Sequence, residues 1–326
     1  MKKYILLLLL SPLLVFAQES FITIINNTSL LDADQQRIFS NVQNYAAAEQ
    51  PYVVKLNKDL LENNSFEIKL YNTNAKIIKD RVEKNGASSK SWFGHIENQI
   101  GGVNFVISEH GITGKITIGN QIFVIVPLGK NYNTLYKLNQ SSYDEDCDGS
   151  GHNTSTTTTT SLANNILPAS STDCKVRILV MYTQAAETQL SNIGWNVRDA
   201  VKVAIDETNQ SHQNSAVTHR VELVRLLETS YTEQTSDGTS SGCSSAMRTD
   251  RNRFRNTSDG IMDNVHTERD LYRADVCVLL SDPCRWCGVA YDIGIGTNSA
   301  DAFCVVDWDC LMSYYSFGHE IGHLHG

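Results

Sequence analysis

The chain has 326 residues, a formal net charge of −9 and 19% charged residues. At roughly 150 residues per domain, this length predicts two domains. A net negative chain without a basic block is a poor match for proteins that bind nucleic acid or anionic membranes. Hydrophobic residues make up 41% of the chain, which suffices for a large core and excludes disorder as the state of the whole chain.

The first residues predict export. Lys2 and Lys3 give a short positive start, and an apolar run follows over 4–16. Ala17 closes this run at a small-residue cleavage position, so residues 1–17 resemble a secretory signal peptide. A membrane anchor is the alternative, but about 13 apolar residues fall short of the roughly 20 that span a bilayer. We therefore expect a secreted protein with no membrane association after signal cleavage.

Residues 18–149 predict a β-rich amino-terminal domain. Apolar and polar residues alternate in several short runs that glycines separate, which is typical of an antiparallel meander. One helix is predicted over 34–48, where Ile38, Val42 and Tyr45 fall at helical spacing. This part of the sequence shows no catalytic clustering of histidines, cysteines or carboxylates.

A linker is predicted over 150–173. Ser, Thr, Asn and Gly dominate it, and residues 156–160 are all threonine. Such a segment buries little apolar surface, so we expect an extended and accessible chain. Two interpretations stay open: a protease-sensitive junction or a plain tether.

After Cys174 the pattern changes to alternating strands and helices. This alternation predicts an α/β sheet domain over 174–326. The predicted elements are a strand over 176–182, an amphipathic helix over 197–208, a strand over 221–227, a helix over 261–271 and an apolar central strand over 274–280.

The last eight residues read HEIGHLHG. His319 and His323 lie four positions apart, so on a helix both imidazoles project from one face and reach one metal ion. Zinc binds neutral imidazoles, lowers the pKa of water to about 7 and polarises carbonyl groups. Glu320 is rotated about 100° from His319, which suits a general base beside the metal better than a ligand. A bare HExxH also occurs by chance, but here Gly322 and Gly326 extend it, and each glycine costs a helix roughly 1 kcal/mol.

The extended motif resembles HExxHxxGxxH/D, the zinc motif of the metzincin metallopeptidases. The resemblance continues upstream, to the bacterial reprolysin-like and peptidyl-Asp metallopeptidases. The similar segments are 178–187 (first strand), 206–215 (end of the first long helix), 258–280 (second helix and central strand), 287–291 (edge strand) and, in the amino-terminal half, 91–96 (propeptide).

This resemblance implies an α+β chain whose metallopeptidase domain, over 174–326, has a twisted mixed α/β sheet, two long helices and an active-site helix. The β-rich part over 18–149 is implied to be a propeptide that acts as an intramolecular inhibitor. The resemblance also implies Zn²⁺ as the cofactor, His319 and His323 as metal ligands, Glu320 as the general base and a peptide or protein as the substrate.

The family pattern extends past the sequence. Its third ligand corresponds to position 329 and its methionine turn lies further on, both after Gly326. We therefore expect a catalytic domain that stops within its zinc motif and lacks its carboxy-terminal subdomain. Two imidazoles leave a metal site open, which predicts weak zinc binding and an inactive chain.

Cys147 lies just before the linker and is a candidate inhibitory zinc ligand. A propeptide thiolate at the open metal position keeps a metallopeptidase latent. The alternative is an ordinary disulfide partner, because the acidic residues of 144–149 raise rather than lower the pKa of a thiol.

Seven further cysteines remain, and export favours disulfides. A four-thiolate zinc site from Cys284, Cys287, Cys304 and Cys310 is the alternative. Five residues separate the last two of these cysteines, which is outside the usual spacing of such sites. Disulfides of open connectivity are the prediction.

The resemblance also makes Gly288, Val289, Ala290 and Tyr291 a candidate edge strand that pairs with an extended substrate. An ordinary strand is the alternative. His325 points to a different helix face from His323 and is not expected to be a ligand.

The sequence thus favours a secreted zinc endopeptidase made as a zymogen. The alternative, from another class, is a non-catalytic exported binding or adhesion protein with a vestigial HExxH. Substrate preference is not readable from the sequence.

Overall fold

The computed structural model describes residues 20–143, 175–282, 284, 286–291, 299–312 and 315–325. The proposed signal peptide (1–17) and linker (150–173) lie outside these residues. We call the described residues 20–143 the amino-terminal unit and the described residues 175–325 the carboxy-terminal unit. Among the described residues, no helix has the length and apolar character that a membrane span needs.

Within residues 20–143, nine strands form one antiparallel sheet in the order β1-β2-β9-β8-β7-β6-β5-β4-β3. The strands are β1 (Ile22–Ile24), β2 (Ala48–Leu56), β3 (Ser65–Leu70), β4 (Thr73–Asn85), β5 (Ser89–Ile96), β6 (Gly101–Ser108), β7 (Gly111–Ile118), β8 (Gln121–Gly129) and β9 (Tyr132–Leu138). The predicted meander is confirmed. In β3, for example, Phe66, Ile68 and Leu70 are buried while the residues between them are exposed.

Helix α1 (Ala33–Asn44) begins with a capping box, in which Asp32 accepts a hydrogen bond from the Gln35 backbone and the Gln35 side chain accepts one from Asp32 N. The predicted helix over 34–48 is too long at its end, because Tyr45 has extended backbone angles and Ala48 already pairs in β2.

The carboxy-terminal unit has a mixed sheet, whose described strands follow the order β11-β10-β12-β14-β13. These are β10 (Lys175–Thr183), β11 (Arg220–Thr229), β12 (Val276–Ser281), β13 (Gly288–Ala290) and β14 (Phe303–Asp307). Only β13 runs antiparallel to its neighbour. The helices of this unit are α2 (Gln184–Asn192), α3 (Val197–Asn214), α4 (Ser240–Arg255), α5 (Asn264–Tyr272) and α6 (Ser316–His325).

Alternate residues of the central strands pack into two different hydrophobic cores, one on each face of the sheet. Ile178 and Val180 of β10 pack in the cluster that contains apolar residues of α3 and α6. Leu179 and Met181 pack in the cluster that contains residues of α4 and α5. The sheet is therefore covered by helices on both faces, as parallel strands require.

Helix α4 is absent from the predicted elements, and the second helix, predicted over 261–271, is observed only over Asn264–Tyr272. The sequence of α4 is dominated by Ser and Arg, and its buried positions include Asp250 and Arg251. Such a composition hides the apolar spacing on which the prediction depends. The second long helix therefore lies upstream of the predicted one.

The cysteines form two pairs at disulfide distance, Cys243–Cys284 and Cys287–Cys310. The four-thiolate zinc site is wrong, because Cys284 and Cys287 bond to different partners and Cys304 is a buried thiol in the core. Burial raises the pKa of the other described thiol, Cys277, to about 12. Cys147 and Cys174 lie outside the described residues.

Candidate active site

The HEIGHLHG motif lies on α6, as its spacing predicts. Phe317, Glu320, Ile321 and Leu324 are buried, at helical spacing, and anchor the helix to the core. Tyr315 has a φ of 56°, which a right-handed helix cannot contain. The helix begins directly after this residue, with His319 N donating to the Tyr315 carbonyl oxygen at 2.9 Å.

The two motif histidines meet on the outer side of α6. Nε2 of His319 lies 3.0 Å from Nε2 of His323, and the ring planes are nearly perpendicular, at 86°. Two imidazoles on one tetrahedral zinc have nitrogens about 3.3 Å apart, given Zn–N bonds of about 2.0 Å. His319 is exposed, so this pair is open to solvent.

The donor type and the spacing of this pair both fit zinc, for which the pair would supply two protein ligands. Among the described residues, no three His, Cys, Asp or Glu side chains come together as a metal-binding group. Cys147, the candidate inhibitory ligand, lies outside the described residues.

Glu320 lies on the inner side of the motif, with 2% of its surface exposed. Its side chain packs on β13: a methyl group built on Gly288 would lie 2.6 Å from Cγ and Oε1 of Glu320. No Cβ atom is found at such a distance, so glycine at 288 is what allows the carboxylate to lie against the strand. The motif thus brings its glutamate and the candidate substrate strand into direct contact.

Strand β13 lies at the edge of the described sheet and contains Gly288, Val289 and Ala290 of the candidate substrate segment, and Tyr291 follows it. One side pairs with β14, in the register Gly288↔Val306, and no described strand pairs with the other side. The disulfide Cys287–Cys310 fixes the residue before β13.

Arg251 of α4 supports the other end of β13, and sequence reasoning missed it. Its Nη1 donates to the Ala290 carbonyl oxygen at 2.5 Å, and its guanidinium lies 3.7 Å from the centre of the Tyr291 ring. Arg251 is only 8% exposed. A buried arginine on an unpredicted helix carries no local signal, because only the fold brings α4 to this strand.

The inner face of α6 is close-packed against α3 and β14. A Cβ on Gly318 would lie 2.8 Å from Oγ1 of Thr208 on α3. Burial raises the pKa of the Cys304 thiol well above its usual range, and the nearby Glu320 carboxylate raises it further. The face of α6 opposite the histidine pair is therefore fixed by close packing.

His325 does not join the histidine pair. Its ring lies 4.8 Å from the ring of His219, which in turn lies 4.7 Å from that of His212. These three residues form a separate stack at the far end of α6, and His325 has no place at the metal pair.

Comparisons with known proteins agree with the motif. Residues 172–326 match the family model described as Metallo-peptidase family M12, of the reprolysin type. Proteins named peptidyl-Asp metalloendopeptidase are similar to this chain, at 33% identity over 279 residues in Stenotrophomonas maltophilia strain R551-3 and 32% in strain K279a. One from Xanthomonas campestris pv. campestris is 41% identical over 156 residues, 48% of this chain and 34% of its own length.

The alignments with the two Stenotrophomonas proteins include 79% of this chain and 62% of each relative. A solved structure of a chaperone-substrate complex aligns with 46% of this chain and 23% of its own, at 16% identity and a TM-score of 0.32, which is too low to inform the fold. The family match confirms the resemblance seen in HEIGHLHG: residues 172–326 match the reprolysin-type model of metallopeptidase family M12.

Proposed function

We propose that this protein is a secreted, zinc-dependent endopeptidase, made as a zymogen, that hydrolyses peptide bonds with Glu320 as the general base. One observation carries the proposal. The buried Glu320 carboxylate follows one of two converging imidazoles in the motif and packs against β13, the edge of the described sheet, so the proposed base, metal ligands and substrate strand lie on adjoining elements.

His319 and His323, whose Nε2 atoms converge, would hold the ion. When bound, zinc supplies Lewis-acid activation of water and of the scissile carbonyl. Glu320 accepts the proton of the attacking water and later donates it to the leaving amine. Its packing against Gly288 restricts its rotamers, so the carboxylate does not have to reorganise during the reaction.

The open edge of β13 binds the substrate. An extended peptide adds to such an edge through backbone hydrogen bonds. The candidate segment is Gly288, Val289, Ala290 and Tyr291, in which the Ala290 carbonyl oxygen already accepts from Arg251. The relatives' name, peptidyl-Asp metalloendopeptidase, supports a peptide bond at an aspartate as the first substrate to test.

The test is hydrolysis of two peptides that differ only in Asp or Asn at the scissile position. We expect a form of the protein that includes the third ligand of the family motif to cleave the Asp peptide, and a chelator to abolish cleavage; the 326-residue chain, with two imidazoles, is expected to be inactive. Glu320→Gln should lower kcat by about 10²- to 10⁴-fold, the usual contribution of a general base. Glu228→Gln, an exposed glutamate outside the site, is the matched control and should retain full activity. Absence of chelator-sensitive hydrolysis would favour the non-catalytic binding protein.

Latency is tested separately. If Cys147 occupies the open metal position, Cys147→Ala should raise basal activity several-fold before any cleavage of the chain. Unchanged basal activity would leave the thiol as an ordinary disulfide partner.

A further inference from the structure

Helix α3 of the carboxy-terminal unit packs against the amino-terminal unit, and its carboxylates are directed at that unit. Each carboxylate has a partner on a strand of the nine-stranded sheet. The pairs are Ser108–Asp199 (2.6 Å between Oγ and Oδ2), Ser91–Asp206, and Lys115–Glu207 (2.6 Å between Nζ and Oε1). Asn104 adds a hydrogen bond from Nδ2 to the Val203 carbonyl oxygen, at 3.2 Å.

The Lys115–Glu207 pair is a buried ion pair. The side chains are 3% and 10% exposed, so each charge depends on the other for compensation. Removing one partner of such a pair leaves an uncompensated buried charge, which is strongly destabilising, whereas replacing both by apolar residues is often neutral. This pair therefore ties one unit to the other specifically.

The apolar contact between the units is continuous. One buried cluster contains Val106, Val124 and Val126 of the nine-stranded sheet together with Val201 and Val203 of α3. This arrangement explains why β8 is buried on both faces. The backbone approaches closely as well: a Cβ on Gly194 would lie 2.7 Å from the carbonyl oxygen of Pro127. Such a shared core is typical of obligate interfaces rather than transient ones.

The described part of the amino-terminal unit contacts residues near the start of α6 and leaves His319 exposed. Lys115 Nζ lies 5.2 Å from the centre of the Tyr315 ring, immediately before α6. The hydroxyl of Tyr143 donates to Asp309 Oδ1 at 3.2 Å, and Tyr45 donates to the same atom. His319 stays exposed, so the described part of this unit supports the site from behind instead of covering it.

We propose that the amino-terminal unit is a lasting partner of the carboxy-terminal unit: it stays bound after the chain is cut between them, and Lys115–Glu207 is its principal polar anchor. Cleavage of the connecting segment then breaks the covalent link between the units, but the amino-terminal unit continues to support α6.

Scission of the full chain tests this proposal. Threonines 156–160 are replaced by the recognition sequence of a site-specific protease, in a Glu320→Gln background so that peptidase activity plays no part. After complete cleavage, we expect both fragments to elute together in gel filtration at 0.5 M salt. Separate elution of two fragments would overturn the proposal, whether or not the protein hydrolyses peptides.

Variants of the ion pair test the anchor in the cut protein. Lys115→Met should speed dissociation of the fragments at least tenfold, and adding Glu207→Met should restore slow dissociation. A general loss of folding would not be rescued by a second substitution. Lys175→Met, which breaks an exposed pair with Glu222, is the control and should leave dissociation unchanged. Equal rates for Lys115→Met and the control would rule out the anchor.

Discussion

Glu320 combines two properties that are unusual for a glutamate: it is 2% exposed and it directly follows an exposed histidine. The sequence predicts that the two side chains point in different directions, because successive helix positions differ by about 100°. The partner of Glu320, Gly288, carries no such signal. Its role depends on the close approach of α6 to β13, which only the fold creates.

Gly288→Ala should displace the Glu320 carboxylate, since the new methyl group would lie 2.6 Å from it. We expect peptide hydrolysis to fall at least tenfold and the free energy of unfolding to fall by about 1–3 kcal/mol. Gly322→Ala is the matched control: nothing lies within 4 Å of its Cβ, so alanine should stabilise the helix by about 0.5–1 kcal/mol. Full activity in Gly288→Ala would contradict the contact.

The histidine stack beside α6 gives a second prediction at this scale. Burial lowers the pKa of His212 and of His219 from 6.5, with His325 and Arg220 as the facing groups. Below pH 6.5 the unfolded chain therefore binds more protons than the native protein, and stability falls as the pH falls.

His219→Phe keeps a ring in the stack but cannot titrate. We expect its free energy of unfolding to fall less than that of the wild type between pH 7.5 and 5.5, as measured by urea denaturation. The carboxyls of Asp199, Asp206 and Glu207, whose pKa values burial raises, have the opposite effect but are common to both proteins. Identical pH dependence in the two proteins would refute the role of the stack.

At the scale of elements, the predictions succeed where periodicity is local. The alternation in β3 and the apolar face of α3 can each be recognised within one short stretch of sequence. They fail where burial comes from a distant partner. Residues 122–128 of β8 are all buried, because the strand lies between two cores, and the polar residues of α4 are buried only through tertiary contacts.

The disulfide Cys287–Cys310 has a sequence separation of 23 and holds the start of the edge strand. Replacing both cysteines by alanine should lower the free energy of unfolding by about 3 kcal/mol. We also expect a rise in KM, because β13 loses its anchor. The pair Cys243→Ala and Cys284→Ala is the control: stability should fall similarly with KM unchanged. An unchanged KM in the first variant would separate the disulfide from substrate binding.

For the whole molecule, the sequence predicts two parts but not how they are joined. Composition indicates a β-rich half and an α/β half, whereas the partners Lys115 and Glu207 are 92 positions apart in the chain. No local pattern links them. The β-rich segment is interpreted from the sequence as an inhibitor. In the structure, its residues share a buried core with α6.

Zinc binding at the histidine pair tests the central claim most directly. X-ray absorption at the zinc edge should show two imidazole nitrogens at about 2.0 Å, and competition titration should show at least tenfold weaker zinc binding in His319→Ala. His219→Ala, in the separate stack, should bind zinc as the wild type does. Equal zinc affinity in wild type and His319→Ala, or a zinc spectrum without imidazole, would contradict the account.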